Sequence, residues 1–69
     1  KKYHAIVNRK AVVAANNFST LKRKAATIAN QFKSDVDDME VFVNGVYDLT
    51  MIRANTDFTN GKTIRSDWT

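Results

Sequence analysis

Met39-Glu40-Val41-Phe42-Val43-Asn44-Gly45-Val46-Tyr47-Asp48-Leu49-Thr50-Met51 holds two alternating runs about one Asn-Gly pair. Before the Asn44-Gly45 pair, Met39, Val41 and Val43 alternate with Glu40 and Phe42. After it, Tyr47, Leu49 and Met51 alternate with Asp48, Thr50 and Ile52. A period of two marks strands with one buried face. Asn-Gly between two such runs signals a hairpin, because both residues accept the positive φ of a tight turn. Two registers compete. A strict two-residue turn sets Val41 against Asp48. A three-residue connection pairs Val43 with Tyr47, Val41 with Leu49 and Met39 with Met51. A one-residue slip would move every apolar side chain to the wrong face. The second register is therefore preferred, with a bulge after the turn.

Toward the N-terminus, the spacing predicts a helix over about residues 19–33. At 100° per residue, Leu21, Ala25, Ile28 and Phe32 form one stripe with Ala29 at its border, opposite Arg23, Thr27 and Asn30. Asn17, Ser19 and Thr20 are candidate N-caps. Earlier still, residues 3–8 and 11–15 read as a hairpin around Asn8-Arg9-Lys10. A three-residue connection puts Tyr3, Ala5, Val7, Ala11, Val13 and Ala15 on one face. The alanines leave a helical reading of residues 11–17 open.

The fold class that follows is α+β, in the order ββαββ: one helix packed on a four-stranded, mostly antiparallel sheet. It occupies residues 1–54. Residues 55–69 read as a polar C-terminal extension, either a short hairpin around Asn60-Gly61 or a partly ordered tail, with Phe58, Ile64 and Trp68 scattered through it.

In this order, and in the opening Tyr3-His4-Ala5-Ile6-Val7-Asn8-Arg9-Lys10, the chain resembles the β-grasp-like, immunoglobulin-binding domains of the protein G and protein L type. The resemblance spans residues 3–54 and implies the architecture. It carries over no binding residues, because the helix here is basic where theirs are mixed or acidic. In size, charge and lack of catalytic groups the chain is also similar in type to small accessory proteins of bacteriophages.

Sixty-nine residues make one domain with one core layer and no room for an enclosed substrate pocket. With no cysteine and one histidine, His4, neither a disulfide nor a Cys/His zinc site is available. The lack of cysteine fits a reducing, cytoplasmic setting. No apolar run reaches the ~20 residues of a membrane span, and no secretory signal is visible. His4 has no local Ser or Asp to make a catalytic pair. Asp35-Val36-Asp37-Asp38-Met39-Glu40 lacks the glycine and the distant glutamate of a calcium loop, and reads as a solvated loop that tempers the basic charge. These absences point to a non-enzyme without metal or cofactor.

The net charge is +4, unevenly spread. Residues 1–34 hold Lys1, Lys2, Arg9, Lys10, Lys22, Arg23, Lys24 and Lys33 and no acid, whereas the second half has an acidic surplus. Such polarity points to an anionic partner for the first half. Lys22-Arg23-Lys24 sits in the first turns of the helix, where the macrodipole is already positive, a placement unfavourable by about 0.3–1 kcal/mol. Either this is a solvated face, or free N–H groups and cations converge there on an anion such as a nucleic-acid phosphate. Arg9 and Lys10, at the first hairpin's tip, would extend that contact. Consecutive helical residues diverge by 100°, however, and the interleaved aromatic pattern of single-strand binders is missing. Trp68 is either a contact residue or a cap on the core. The expectation is a binding module, monomer or homodimer, that contacts nucleic acid or a nucleoprotein through Arg9, Lys10, Lys22, Arg23, Lys24 and Trp68. The rival expectation is a protein-binding module, such as a phage-encoded inhibitor of a host defence or regulatory protein.

Overall fold

The computed structural model describes residues 1–57, 64–65 and 67–69, with side chains described for 1–54 and 67–69. In chain order the elements are β1 (Tyr3–Val7), β2 (Ala11–Ala15), α1 (Phe18–Ala29), β3 (Val36–Val43), β4 (Val46–Asp57) and β5 (Ile64–Arg65). The sheet order is β2-β1-β3-β4-β5, and every described pairing is antiparallel. The four-stranded α+β sheet with one helix is therefore present, and a short fifth strand extends it.

Asn44 (φ 51°) and Gly45 (φ 81°) both occupy the left-handed region, so the second hairpin closes on two residues. Val43 pairs with Val46 and Phe42 with Tyr47; the register then shifts, and Val41 meets Leu49 and Met39 meets Met51. Asp48 is the extra residue of this bulge. The apolar register holds from Val41 outward, while the expected Val43–Tyr47 pair is corrected to Val43–Val46. The bulge reconciles a tight turn with an apolar core face, which neither simple register achieves.

The first hairpin turns at Asn8-Arg9-Lys10, with Tyr3 opposite Ala15, Ala5 opposite Val13 and Val7 opposite Ala11. This settles residues 11–15 as strand. Asn17 caps the helix, its side-chain oxygen accepting from Thr20 N at 2.8 Å, so that one orphan N–H of the first turn is satisfied. Leu21, Ala25 and Ala29 are buried one turn apart, while Ile28 and Phe32 are half-buried. The helix stops at Ala29 rather than near residue 33, because Gln31 N and Phe32 N bond back only three residues, to Ile28 O and Ala29 O. Tightened bonds of this kind satisfy terminal carbonyls but do not propagate an α-helix.

Helix α1 lies over β1 and β2. The remaining core face, on β3 and β4, is closed from the C-terminus. Thr69 and Ile52 exchange two backbone hydrogen bonds of 2.9 Å, and Trp68 is only 4% exposed. The expected boundary at residue 54 thus falls inside β4, and Trp68 belongs to the domain core. Asn60-Gly61 lies outside the described residues. Among the described residues, no helix is long and apolar enough to cross a membrane.

Candidate functional site

Two groups of charged residues have to be separated before a site can be named. One is internal. Asp37 follows the alternation of β3 onto the core face with Met39 and Val41, and it is fully buried. Its partner across the ladder is Arg53 of β4, 6% exposed, at 3.4 Å. Arg53 Nη2 also donates to Asn30 Oδ1 at 2.6 Å, and its guanidinium stands 5.2 Å from the Trp68 ring centroid. Asn8 donates to Asp37 Oδ1 at 3.0 Å and accepts from Asp38 N at 2.8 Å, tying the first hairpin to β3. The solvated acidic loop expected over residues 35–40 is therefore corrected. The strand begins at Val36, Asp37 is an internal counter-ion, and Asp38 and Glu40 lie on the opposite sheet face. Among the described residues, no three His, Asp or Glu side chains gather as a metal site.

The other group is external, and the fold divides it. Arg9 and Lys10 are exposed at the tip beyond Val7. Beside them, Phe32, Lys33, Ser34 and Asp38 line a polar concavity of about 440 Å³. Arg9 also faces Asp38, Glu40 and Thr50, so acids balance the cations there. The helix starts at the opposite end of β1, roughly 16 Å away at about 3.3 Å per residue. At that end Lys24 Nζ donates to Ala14 O at 2.9 Å. The Lys1 ammonium beside it lowers the Lys24 pKa from its ordinary value; lost hydration, a hydrogen bond with Lys1 and the Arg23 charge act in the same direction. Arg23 and Lys24 border a groove of about 340 Å³ with Val13, Thr27, Ile28 and Gln31. Lys22 points elsewhere, as the helical angle requires, and lies over the Phe18 ring at 5.5 Å. Phe18 meets Tyr3 at 6.1 Å between centroids, and Lys2 stands 5.4 Å from the Tyr3 ring.

The helix-start residues Lys22, Arg23 and Lys24 are thus joined by Lys1 and Lys2, which sequence reasoning left out of the site. Their place beside the first strand's start was the available signal, because β2 returns the chain to that point before the helix begins. Among the described residues, none of these five forms a salt bridge. Of the two readings of Trp68, contact residue or cap on the core, the second holds: Trp68 is buried, and its indole N–H donates to Lys22 O at 3.1 Å. It anchors the helix start from beneath. No protein family, curated protein or solved structure matches this chain.

Proposed function

We propose that this chain is a non-enzymatic binding module that contacts nucleic acid through the cationic end formed by Lys1, Lys2, Arg23 and Lys24, with Lys22 at its margin. The observation that carries this reading is the crowding of cationic side chains at the helix start, where Lys24 meets the Ala14 carbonyl, Arg23 shares its groove and, among the described residues, no acid forms a salt bridge with them. Like charges brought together by folding are destabilising until an anion arrives. A polyanion with regularly spaced phosphates relieves several of them at once and releases its counter-ions. The hairpin tip is left out of this interface, because Asp38 and Glu40 stand beside Arg9.

The test is fluorescence anisotropy with labelled 12-nucleotide strands and duplexes across a salt series. Affinity should fall linearly on a log–log plot. Replacing Arg23 and Lys24 by glutamine should lower the magnitude of that slope by roughly 1.4–1.8. Replacing Arg9 and Lys10 instead should leave it unchanged. No binding at about 50 mM salt, where phosphate contacts are strong, would end the proposal.

One observation favours a second reading, as a protein-binding module. β2 is an outer strand without a charged side chain, and Val12 on it is 65% exposed. Lys24 reaches the Ala14 carbonyl, so alternate residues of β2 direct their backbone groups outward, where a partner strand can pair. A nuclease-resistant complex that a Val12→Pro substitution abolishes would favour this reading.

A further inference from the structure

The helix covers one face of the sheet, and the other face carries an aromatic row. Core-facing Tyr3, Ala5 and Val7 alternate with His4 and Ile6, and core-facing Val41 and Val43 flank Phe42. The ladder sets Ala14 opposite His4, His4 opposite Phe42 and Phe42 opposite Tyr47. These four residues form one row across β2, β1, β3 and β4. With strands about 4.8 Å apart, the row is roughly 14 Å long. Phe42 and Tyr47 meet edge to face at 5.8 Å, the Tyr47 hydroxyl is 2.7 Å from Thr50 Oγ1, and Tyr47 is 52% exposed.

The row ends at Ala14, whose carbonyl is the acceptor for Lys24. One margin of the aromatic row is therefore the cationic cluster itself. The next rows down the same face hold Ile6, Glu40 and Thr50, then Asp38 and Ile52. Arg9 stands beside these carboxylates, so the surplus positive charge lies at the other end of the face. Among the described residues, the titratable groups of these rows are His4, Tyr47, Asp38 and Glu40, with Arg9 beside the two carboxylates.

From this juxtaposition we infer that the ligand is single-stranded: two or three unpaired bases lie on His4, Phe42 and Tyr47, while their phosphates run along Lys1, Arg23 and Lys24. This inference rests on the nucleic-acid reading above and specifies the form of nucleic acid. Base–aromatic stacking on an open sheet face needs splayed bases, which a duplex withholds. Aromatic residues missing as a local sequence pattern are supplied by three separate strands.

The experiment compares a labelled 12-nucleotide oligothymidylate with a duplex of the same length, for the parent chain and for Tyr47→Ala, Phe42→Leu and Lys24→Gln. Thermal melts verify that each variant folds. The single strand should bind at least tenfold tighter than the duplex. Tyr47→Ala should remove about tenfold or more of that affinity with the salt slope unchanged, and Lys24→Gln should reduce the slope. If Phe42→Leu does not fold, ring-proton shifts of His4, Phe42 and Tyr47 on titration of the parent chain replace it, and all three should move. Equal affinity for strand and duplex, with Tyr47→Ala neutral and the rings unmoved, overturns this inference and leaves the nucleic-acid reading standing. No binding to either overturns both. A dimer in sedimentation that Tyr47→Ala dissociates also overturns it, since the face would then belong to a second copy.

Discussion

Arg53 and Lys24 lie on opposite sides of one helix and show two ways of carrying positive charge. Arg53 is enclosed by Asp37, Asn30, the Ala26 carbonyl and the Trp68 ring. Lys24 is exposed, has Lys1 and Arg23 for company, and donates to the Ala14 carbonyl. The first charge is compensated inside the protein and serves the fold. The second is left uncompensated, and a ligand must supply what the protein withholds.

The largest effect is expected at Asp37. Asp37→Ala leaves Arg53 as a buried charge without its counter-ion, which costs about 3–5 kcal/mol in comparable pairs. For a domain of this size that is most of the stability, so denaturant melts should show a chain largely unfolded at 37 °C. Asp37→Asn keeps the shape and one acceptor and should fall between parent and alanine variant. The double variant Asp37→Leu/Arg53→Met tests what the pair itself is worth. It should recover most of the loss, because Arg53 Nε is already buried without a hydrogen-bond partner and apolar replacement of such pairs is often neutral or better. A double variant as unstable as Asp37→Ala would show that the pair contributes more than its own satisfaction.

Trp68 links the two kinds of charge, with its ring against Arg53 and its N–H on the Lys22 carbonyl. Trp68→Phe keeps most of the apolar area and removes the hydrogen bond, for a loss of about 1 kcal/mol in urea melts. Nucleic-acid affinity should follow stability and nothing more. A larger drop in affinity would mean that Trp68 positions the cationic cluster as well as the core.

The alternation around Asn44-Gly45 makes most of the architecture legible, because apolar burial repeats at every second residue. The helix stripe is legible for the same reason at its own period. Asp37 was not, although it keeps phase with Met39 and Val41. Whether a carboxylate in phase is buried depends on a cation sixteen residues away across the ladder, and no local pattern reports that. The C-terminal strand Ile64–Arg65 was only one of two open readings, because a polar stretch with scattered apolar residues has no periodicity to choose a hairpin over a tail. The aromatic row was illegible for a topological reason. His4, Phe42 and Tyr47 come together only because β1 and β3 form the seam between the hairpins, and the same element order permits other seams. The cationic run could be read as a run, but its reinforcement by Lys1 and separation from Arg9 follow from where β2 ends.

The smallest effect is the most specific to the open side. Folding lowers the Lys24 pKa, so over the window between its folded value and its ordinary value the unfolded chain binds more protons than the folded one. Stability from this group should therefore rise with pH across that window and stay at its lower level below it. Lys24 is exposed, so salt should flatten the trend. Lys24→Gln should abolish it and leave stability near neutral pH close to that of the parent. A bound phosphate chain reverses the sign of the local field, so the Lys24 pKa should rise when a single strand is added. Side-chain NMR of the lysine ammonium groups reads that shift directly. A Lys24 that titrates identically with and without the strand would place the anion elsewhere and erase the distinction between it and Arg53.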